Sequence, residues 1–279
     1  MTNENILITG MAGSIGSELL RQLAPNNKIY GIDINETGLF NLVEEYQQKG
    51  FDVHGHVMDI KDKEAVADLF APAKQGYYFT TVFHTAARKH VTPMEQTPME
   101  AVLTNIHGTY HLVREAKQWQ VPRFVYISTD KVVNAKSIMG QTKKLGEMMV
   151  RNAGYVAVRF GNVLGSQGSV IPIWQKQMDE GKPLTVTDER MMRYMMSIED
   201  AVGLVITAAE EGKPGECLIL DLDTKKVNVL NLAKTLLAST GIDGSIRIIG
   251  ARPGEVLSEE LMTTEERANA VKRGKFFIL

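Results

Sequence analysis

Four polar residues, Ser128, Thr129, Asp130 and Lys131, follow the apolar run RFVYI near the middle of the chain. An acid beside an ammonium group and a hydroxyl supplies a proton donor, a proton acceptor and a hydrogen-bond partner within a short distance. The same residue types also favour a turn that caps a helix, because their side chains accept hydrogen bonds from free backbone N–H groups. Taken alone, the run predicts either acid–base chemistry or a capping turn.

A glycine-rich loop follows the first apolar run, NILIT, and places Gly10, Gly13 and Gly16 just before a helical pattern. Glycines there let the backbone approach a pyrophosphate, whose charge the amides and dipole of the next helix stabilise. Asp33 ends the next strand-like run, 17 residues after Gly16, where its carboxylate can accept both ribose hydroxyls and repel a 2′-phosphate. The loop predicts a site for NAD rather than NADP; the alternative is a tight turn without a ligand.

Two further pairs of residues are candidates for cofactor contact. Asp59 and Ile60 follow the third strand-like run and can lie against an adenine ring, with Asp59 accepting a hydrogen bond from its amine. Asp59 can equally be a helix N-cap before Asp62. Ala86 and Ala87 end the fourth run, where small side chains suit either a dinucleotide channel or simple sheet packing.

Strand-like runs alternate with segments of helical period over the first 165 residues, which is typical of βαβ units. We expect strands at 5–10, 28–33, 51–57, 81–87, 123–129 and 155–161, and helices at 14–23, 36–49, 62–73, 98–118 and 137–152. This order predicts the α/β class, with a Rossmann-like doubly wound parallel sheet whose ligands lie at the carboxyl ends of the strands.

The pattern changes after residue 165. A helix with Ser197 at its N-terminus and a strand at 216–221 return to the sheet, and the remaining segments lack the βαβ rhythm. We therefore expect an NAD-binding domain at 1–165 together with 197–223. A smaller discontinuous lobe at 166–196 and 224–279 is expected to bind the substrate.

The composition is close to that of an average globular protein, with 44% hydrophobic and 23% charged residues. The 31 Lys and Arg residues against 33 Asp and Glu residues give a net charge of −2, so no basic field favours nucleic acid. The lone Cys217 cannot form an intramolecular disulfide, and no apolar run approaches the length of a membrane helix. We expect a cytoplasmic protein that binds neither nucleic acid nor membrane. No metal site is expected, because the helical pair His107 and His111 lacks a third ligand.

Taken together, the motifs resemble a known family. The glycine loop, HTAARKHV (84–91), Asn105, STDK (128–131), MGQTK (139–143), RFGNVLGSQGSVIP (159–172) and RPGE (252–255) are similar, in this order, to extended short-chain dehydrogenase/reductases. Within that superfamily they resemble UDP-N-acetylglucosamine 4,6-dehydratases of bacterial surface-sugar biosynthesis. The resemblance spans nearly the whole chain.

One residue departs from the pattern of the superfamily, which carries Tyr-x-x-x-Lys. Met139 stands four residues before Lys143, and none of the eight tyrosines has Lys four positions later. A thioether is neither an acid nor a base, so the usual proton acceptor is missing. Some dehydratases of the resembled family that retain the configuration at C5 share this methionine, which favours retention here.

The resemblance implies an internal redox reaction, in which hydride leaves C4 of the sugar for NAD, water is eliminated across C5 and C6, and hydride returns to C6. By position, Lys131 is the base at C5, Asp130 the acid at the C6 hydroxyl, and Thr129 the hydrogen-bond partner of the C4 oxygen. A lysine base must be neutral, and we expect burial and a charged Lys143 to lower the pKa of Lys131. For the C4 proton, the hypothesis is that Asp130 accepts it through Thr129 or a water.

The resemblance also implies which residues contact the ligands, with Lys143 at the nicotinamide ribose. Cofactor contacts are expected at Gly10, Ala12, Gly13, Ser14, Ile15, Gly16, Asp33, Asp59, Ile60, Ala86, Ala87, Lys89, Asn105 and Lys143. Contacts with the UDP-sugar are expected at Lys89, His90, Asn162, Ser169, Val170, Thr185, Val186, Arg193, Arg252 and Glu255. In this set the two arginines bind the diphosphate, Thr185 and Val186 face the uracil, and Glu255 faces the uridine ribose.

Three other functions remain open on the sequence: a dehydratase that inverts C5, a UDP-sugar 4-epimerase, and a nucleotide-binding sensor without activity. An epimerase needs a tyrosine where Met139 stands, and a sensor has no use for the acid and base of STDK. We also expect a homodimer or a higher homo-oligomer, formed by pairing of the helices at 98–118 and 137–152.

Overall fold

The computed structural model describes residues 1–221, 226–241, 244–252 and 254–279. In these residues the strands of the main sheet run in the order β13-β14-β10-β6-β5-β4-β1-β2-β3, parallel from β10 to β3. Their bounds are β1 Asn5–Thr9, β2 Lys28–Asp33, β3 Val53–Val57, β4 Thr81–His84, β5 Arg123–Ile127, β6 Val156–Arg159, β10 Cys217–Leu220, β13 Val271–Arg273 and β14 Phe276–Ile278. The predicted α/β class and Rossmann-like sheet are confirmed.

Helices connect these strands and pack beside the sheet, with α1 against α10 and both α3 and α8 against α7. Their bounds are α1 Ser14–Leu23, α2 Glu36–Gln48, α3 Lys63–Phe70, α4 Pro72–Gln75, α5 Val91–Gln96, α6 Pro98–Ala101, α7 Thr109–Gln118, α8 Ile138–Asn152, α9 Val170–Asp179, α10 Ile198–Glu211, α11 Val229–Thr240 and α12 Thr264–Asn269. The sheet shares one large core with helices α1, α2, α3, α7, α8 and α10, and the side chains of β1 are almost fully buried in it.

Two predicted helices are interrupted in the structure. The helix expected at 62–73 ends at Phe70, and Pro72 begins the separate short helix α4, because proline cannot donate the backbone hydrogen bond that a continuing helix needs. The helix expected at 98–118 contains a π-helical turn at Val102–Gly108 between α6 and α7. A π-turn adds a residue to the helical ring and so changes which side chains face the sheet.

A smaller lobe has its own apolar cluster around the fully buried Trp174, with Leu184, Val186 and Met191 among its members. It contains two short sheets in the described residues, β11-β9-β7 and β12-β8. Their strands are β7 Asn162–Val163, β8 Leu184–Val186, β9 Met192–Met196, β11 Lys226–Asn228 and β12 Ile246–Ile248.

The end of the chain differs from the expected division, which gave 224–279 to the smaller lobe. Strands β13 and β14 form a hairpin, and β14 pairs antiparallel with β10, so this segment completes the main sheet. The hairpin covers the edge of β10, which would otherwise leave unpaired backbone groups. The expected boundary between 223 and 224 lies outside the described residues.

Candidate active site

The glycine loop between β1 and α1 brings backbone segments into close contact. Gly10 has a φ of +70°, and a Cβ at this residue would lie 2.8 Å from the backbone nitrogen of Ala86. A Cβ on Gly16 would lie 2.3 Å from the carbonyl oxygen of Gly10. Side chains are therefore excluded at both positions. The N-terminus of α1 borders a cavity that lies above the loop.

This cavity has a volume of about 660 Å³ and lies at the carboxyl ends of the parallel strands. Of the residues expected at the cofactor, it is lined by Gly10, Ala12, Gly13, Ser14, Ile15, Asp33, Asp59, Ile60, Ala86, Ala87, Lys89 and Lys143. We call it the first cavity.

Asp33 lies in the wall of the first cavity at the end of β2. Its Oδ2 accepts a hydrogen bond from the backbone N–H of Ala12 at 2.9 Å, and its Oδ1 accepts one from Asn35 at 2.9 Å. Each carboxylate oxygen has more than one acceptor site, so both can still accept a hydroxyl. The position suits the recognition of a ribose.

Asp59 is not the N-cap of α3. That position belongs to Asp62, whose carboxylate accepts hydrogen bonds from the backbone N–H groups of Glu64 and Ala65. Asp59 accepts one from the backbone of Lys61 and lies in the wall of the first cavity. Of the two readings left open by the sequence, the structure favours the one at the cavity.

Gly16 and Asn105 do not line the first cavity, unlike the other residues expected at the cofactor. Gly16 is instead the close contact between α1 and the loop. Asn105, 1% exposed in the π-helical turn, accepts a hydrogen bond from Arg88 N and donates to Arg88 O and to Thr142 Oγ1. Its amide is occupied in fixing the segment after β4, so any effect of Asn105 on a cofactor acts through that segment.

The four polar residues after β5 form a hydrogen-bonded chain. The Thr129 hydroxyl donates to Asp130 Oδ1 at 2.9 Å, and Lys131 Nζ donates to the same oxygen at 3.0 Å. Thr129 also caps the short 3₁₀ turn of Asp130–Val132 through Lys131 N at 3.4 Å. The motif is thus both a capping turn and a cluster of acid and base groups.

Glu259 is a member of this cluster that the sequence analysis missed. It is 6% exposed, and its carboxylate lies 3.1 Å from Lys131 Nζ and 3.3 Å from Arg193 Nε. The nearby carboxylate of Asp130 also faces it, and its charge raises the pKa of Glu259. Two acidic residues at 259 and 260 give no local signal that the first is buried, and its partner Lys131 is 128 residues away.

The expectation of a lowered pKa for Lys131 is wrong in this structure. Burial does lower the pKa of Lys131, but the carboxylates of Asp130 and Glu259 outweigh it and raise the pKa above its usual value. Burial raises the pKa of Glu259 to about 7, and Lys131 holds the pKa of Asp130 below its usual value despite burial. The cluster therefore has Lys131 charged, Asp130 ionised and Glu259 close to its titration point at neutral pH.

Lys143 of α8 has a lowered pKa, unlike Lys131, because burial lowers the pKa of its ammonium group to about 7. Its Nζ donates to Ile127 O at 2.5 Å and lies 4.0 Å from the centre of the Tyr126 ring. Met139, one turn earlier, is 2% exposed and packs with Met94 and Ala101 at the edge of the first cavity. No tyrosine lines this cavity within the described residues.

A second cavity of about 800 Å³ adjoins the first, and Lys131 lines both. Of the residues expected at the UDP-sugar, it is lined by Lys89, His90, Asn162, Arg193, Arg252 and Glu255. Ser169 lines the first cavity, and Val170 begins α9 directly after it. Residue 253 of the RPGE motif lies outside the described residues.

Thr185 and Val186 line neither cavity. Val186 is 1% exposed in the core of the smaller lobe. Thr185 donates its backbone N–H to Gln177, accepts from Gln177 at its hydroxyl, and accepts from Trp174 at its carbonyl. Both residues pack within the lobe, and their expected contact with uracil stays a prediction.

Two buried polar atoms point to a ligand. Asn162 Oδ1 and Ser169 Oγ are shielded from solvent and have no hydrogen-bond partner in the described residues. Between them, Gln167 donates its backbone N–H to Ser14 Oγ and accepts at its carbonyl from Lys89 Nζ. Unpaired buried polar groups are costly, so a polar molecule that binds beside the loop between Asn162 and Ser169 would be stabilised by hydrogen bonds to these two atoms.

None of the helices in the described residues is both long and apolar enough to cross a membrane.

The family model for polysaccharide biosynthesis proteins matches residues 6–279. The chain is 39% identical to the capsular polysaccharide biosynthesis protein CapD of Staphylococcus aureus, over 95% of this chain and 46% of CapD. It thus spans about half the length of that relative. It is 33% identical to the UDP-glucose 4-epimerase of Rickettsia prowazekii, over 99% of this chain and 82% of the epimerase.

Solved structures show the same fold. Pen from Bacillus thuringiensis superimposes with a TM-score of 0.93 at 32% identity, over 99% of this chain and 89% of Pen. DesIV of Streptomyces venezuelae is a dTDP-glucose 4,6-dehydratase described with NAD and TYD bound. It superimposes with a TM-score of 0.81 at 21% identity, over 95% of this chain and 90% of DesIV. The match over nearly the whole chain shows that this protein belongs to the polysaccharide biosynthesis protein family.

Proposed function

We propose that this chain is an NAD-dependent 4,6-dehydratase of UDP-N-acetylglucosamine, which forms the 4-keto-6-deoxy sugar nucleotide with retention at C5. The observation that carries the proposal is the hydrogen-bonded chain of Thr129, Asp130 and Lys131 at the junction of the two cavities. An elimination needs an acid and a base on one sugar, and this arrangement supplies both beside a cofactor-sized cavity.

The residues present fit a dinucleotide in the first cavity. Gly10 and Gly16 allow the backbone approach that a pyrophosphate needs, and Asp33 has free acceptor sites for the adenosine ribose. No cation lies next to Asp33 in the sequence, which favours NAD. A bound NAD would supply the hydride chemistry of the reaction, which oxidises C4 and reduces C6 of the sugar.

Lys143 is proposed to bind the nicotinamide ribose. Its ammonium group is buried at the wall of the first cavity and has one carbonyl partner, Ile127 O, so it keeps donors for further acceptors. Met139 beside it offers only an apolar surface.

The proton of the C4 hydroxyl is proposed to reach Asp130 through Thr129. The Thr129 hydroxyl lines the first cavity and donates to Asp130 Oδ1, so it can accept one proton while passing on its own. Asp130 is ionised, because Lys131 lowers its pKa, and can accept that proton. Asp130 then carries the proton that the departing C6 hydroxyl needs to leave as water.

Lys131 is proposed as the base at C5, since it lines both cavities. It removes the C5 proton as an amine and returns it from the ammonium form when C6 is reduced.

The second cavity is proposed to hold the UDP moiety. Arg193 and Arg252 supply guanidinium groups for the diphosphate, and Glu255 faces the uridine ribose. The unpaired Asn162 Oδ1 and Ser169 Oγ are proposed to bind the sugar. In this proposal the smaller lobe, built on residues 166–196 and on the chain from 226 to the end of α12, recognises the nucleotide.

A UDP-sugar 4-epimerase is the second candidate, favoured by the identity to the Rickettsia relative. Epimerisation needs one acid–base group at the C4 oxygen and no elimination pair. Met139 occupies the position of the expected tyrosine, and no tyrosine lines either cavity in the described part of the chain. These observations favour the dehydratase.

Proton NMR of UDP-N-acetylglucosamine incubated with the purified protein in D₂O, without added NAD, tests the proposal. We expect a new C6 methyl signal with deuterium at C5, and ring couplings that report the retained configuration. A galacto-configured product identifies the epimerase. An unchanged spectrum from folded protein supplied with NAD contradicts both activities.

A further inference from the structure

Glu259 occupies an unusual position for a carboxylate. It follows the RPGE segment of the smaller lobe, is 6% exposed, and reaches across to the turn after β5 in the large domain. Both of its oxygens lie near Lys131 Nζ, at 3.1 and 3.2 Å. The other charged groups that face it are Arg193 of β9, at 3.3 Å, and Asp130.

Lys131 needs an acceptor for its own proton before it can act as a base. It is an ammonium in this structure, and its Nζ pairs with two carboxylates although 24% of the side chain is exposed. Two acceptors are within hydrogen-bond distance, Asp130 Oδ1 and the carboxylate of Glu259. Asp130 Oδ1 already accepts a hydrogen bond from Thr129 and lies on the proposed path of the C4 proton. Glu259 therefore remains as the acceptor for the proton of Lys131.

We propose that Glu259 is the proton partner of Lys131, taking the proton of its ammonium group so that the amine can remove the C5 proton of the substrate. This inference rests on the proposed dehydratase function. Glu259 lines the second cavity, but the proposal gives it no contact with the reacting atoms of the sugar. It acts through Lys131 and is therefore a positioning residue rather than a catalytic residue.

The step balances without an external acid or base. One N–H bond of Lys131 breaks and one O–H bond of Glu259 forms, which converts an ion pair into an amine and a neutral carboxylic acid. The amine then takes the C5 proton and later returns it to C5 of the product. The proton on Glu259 finally goes back to Lys131, which restores the ion pair.

The surroundings of Glu259 support this exchange. Burial disfavours the ionised carboxylate, and the nearby Asp130 adds to this effect, whereas Lys131 and Arg193 oppose it, so the pKa of Glu259 is about 7. The neutral and ionised forms of Glu259 are therefore close in free energy near neutral pH.

The variant Glu259→Gln tests the inference, because the amide keeps the size of the side chain and cannot accept the proton. We expect kcat to fall about 100-fold with KM changed less than about threefold. The rate should then rise with pH, because Lys131 must lose its proton to solvent and Asp130 still raises its pKa. Reduced nicotinamide, followed by its near-ultraviolet absorbance, should accumulate because C4 oxidation precedes the blocked step.

Two further variants separate this role from a structural one. Glu259→Asp keeps a carboxylate near Lys131 and should restore at least about a tenth of the wild-type kcat. Glu265→Gln makes the same acid-to-amide change at an exposed position on α12 and should leave kcat and the pH profile unchanged. Thermal unfolding of all three variants identifies any loss of folded protein.

The outcomes distinguish the two proposals. A wild-type protein that forms no 4-keto-6-deoxy product overturns the dehydratase function and this inference with it. A wild-type dehydratase whose Glu259→Gln variant keeps the wild-type kcat and pH profile overturns only the role of Glu259. Loss of activity in Glu259→Gln and Glu259→Asp alike, with a flat pH profile, also contradicts it, since that pattern indicates a structural ion pair.

Discussion

Thr129 connects the first cavity to Asp130. Its hydroxyl donates to Asp130 Oδ1 at 2.9 Å, and its side chain lines the cavity, whereas Asp130 is 1% exposed and does not line it. In the proposed mechanism, a proton from the cofactor side of the site reaches Asp130 through this hydroxyl. The contribution of Thr129 to activity should lie in its hydroxyl group and not in its volume.

Replacing Thr129 by Val removes the hydroxyl and keeps the shape of the side chain. We expect kcat to fall by about 100-fold or more, because a positioned proton-transfer group contributes a factor of this size. The formation rate of the 4-keto product measures it. Thr129→Ser keeps the hydroxyl and should retain most of the activity; a Val variant as fast as the Ser variant contradicts the proposed path.

Lys143 gives the free energy of unfolding a specific pH dependence. Burial lowers its pKa from 10.5 to about 7 in the folded protein, so between these values the unfolded chain holds one proton more than the folded chain. Unfolding then becomes less favourable as the pH rises, by about 1.4 kcal/mol per pH unit for one proton. The stability lost to burying Lys143 is greatest at and below pH 7 and disappears above 10.5.

The variant Lys143→Met should remove this dependence. We expect it to be more stable than the wild type near pH 7, by about 2 kcal/mol after the lost hydrogen bond to Ile127 O is subtracted. This advantage should shrink steadily toward pH 10. Urea unfolding of nucleotide-free protein at several pH values measures the difference, and Lys144→Met, at the exposed neighbour on α8, should follow the wild-type slope.

The element that shapes the cofactor cavity is the junction of β1, the glycine loop and α1. Gly16 allows α1 to approach the loop, because a Cβ there would lie 2.3 Å from Gly10 O and 2.7 Å from Met11 Cα. Both contacts are with backbone atoms, which cannot move aside without shifting β1 or α1. Gly203 in α10 has open space around its Cβ direction and provides a matched comparison.

Gly16→Ala should destabilise the protein by about 1–3 kcal/mol through this overlap and weaken binding of NAD. Gly203→Ala should stabilise it by about 0.5–1 kcal/mol, because alanine in a helix reduces the entropy of the unfolded chain. Chemical unfolding and equilibrium binding of NAD measure both variants. Equal effects of the two substitutions would contradict the close contact at Gly16.

Elements with a local pattern were predictable from the sequence. The six parallel strands before residue 165 and the N-terminus of α1 follow from short runs of β-branched residues and from glycine spacing. The π-helical turn at Val102–Gly108 could not be predicted from the sequence. It packs against α8, and Asn105 within it contacts Arg88, and both contacts are tertiary. The sequence around it has ordinary helical periodicity.

In the whole molecule, buried charges join the C-terminal segment to the large domain. Arg159 of β6, 3% exposed at its side chain, pairs with Glu147 of α8 and with Glu266 of α12. Lys131 pairs with Glu259 of the same segment. Removing one partner of such a pair leaves an uncompensated buried charge, so these contacts fix the position of the segment that closes the second cavity.

These long-range contacts are also where the sequence analysis went wrong. The raised pKa of Lys131 depends on Glu259, which is distant in sequence and carries no motif that marks it as buried. Thr185 and Val186 line neither cavity, because their neighbours in the lobe core, such as Trp174, are likewise set by tertiary packing. Their expected contact with uracil stays a prediction. The glycine loop and the short polar run could be predicted as candidates because each is a local pattern of residue types in the sequence.

The helices expected to form an oligomer interface carry exposed apolar side chains. Met99 of α6 is 60% exposed, Tyr110 of α7 52%, and Leu145 and Met148 of α8 43% and 49%. Leu145 and Met148 are three residues apart and so lie on one face of their helix. Covering such a surface with a second copy of the chain would remove it from water, which favours association.

The double variant Leu145→Glu and Met148→Glu should disrupt this association. Two carboxylates on the same helical face oppose burial and repel their symmetry partners in an isologous dimer. Light scattering after size exclusion should give the mass of a single chain for the variant and at least twice that mass for the wild type. Phe40→Glu, at the 63% exposed residue on α2, introduces a charge away from these helices and should keep the oligomer. A wild type that stays monomeric at high concentration, or an α8 variant with an unchanged mass, places any interface elsewhere on the molecule.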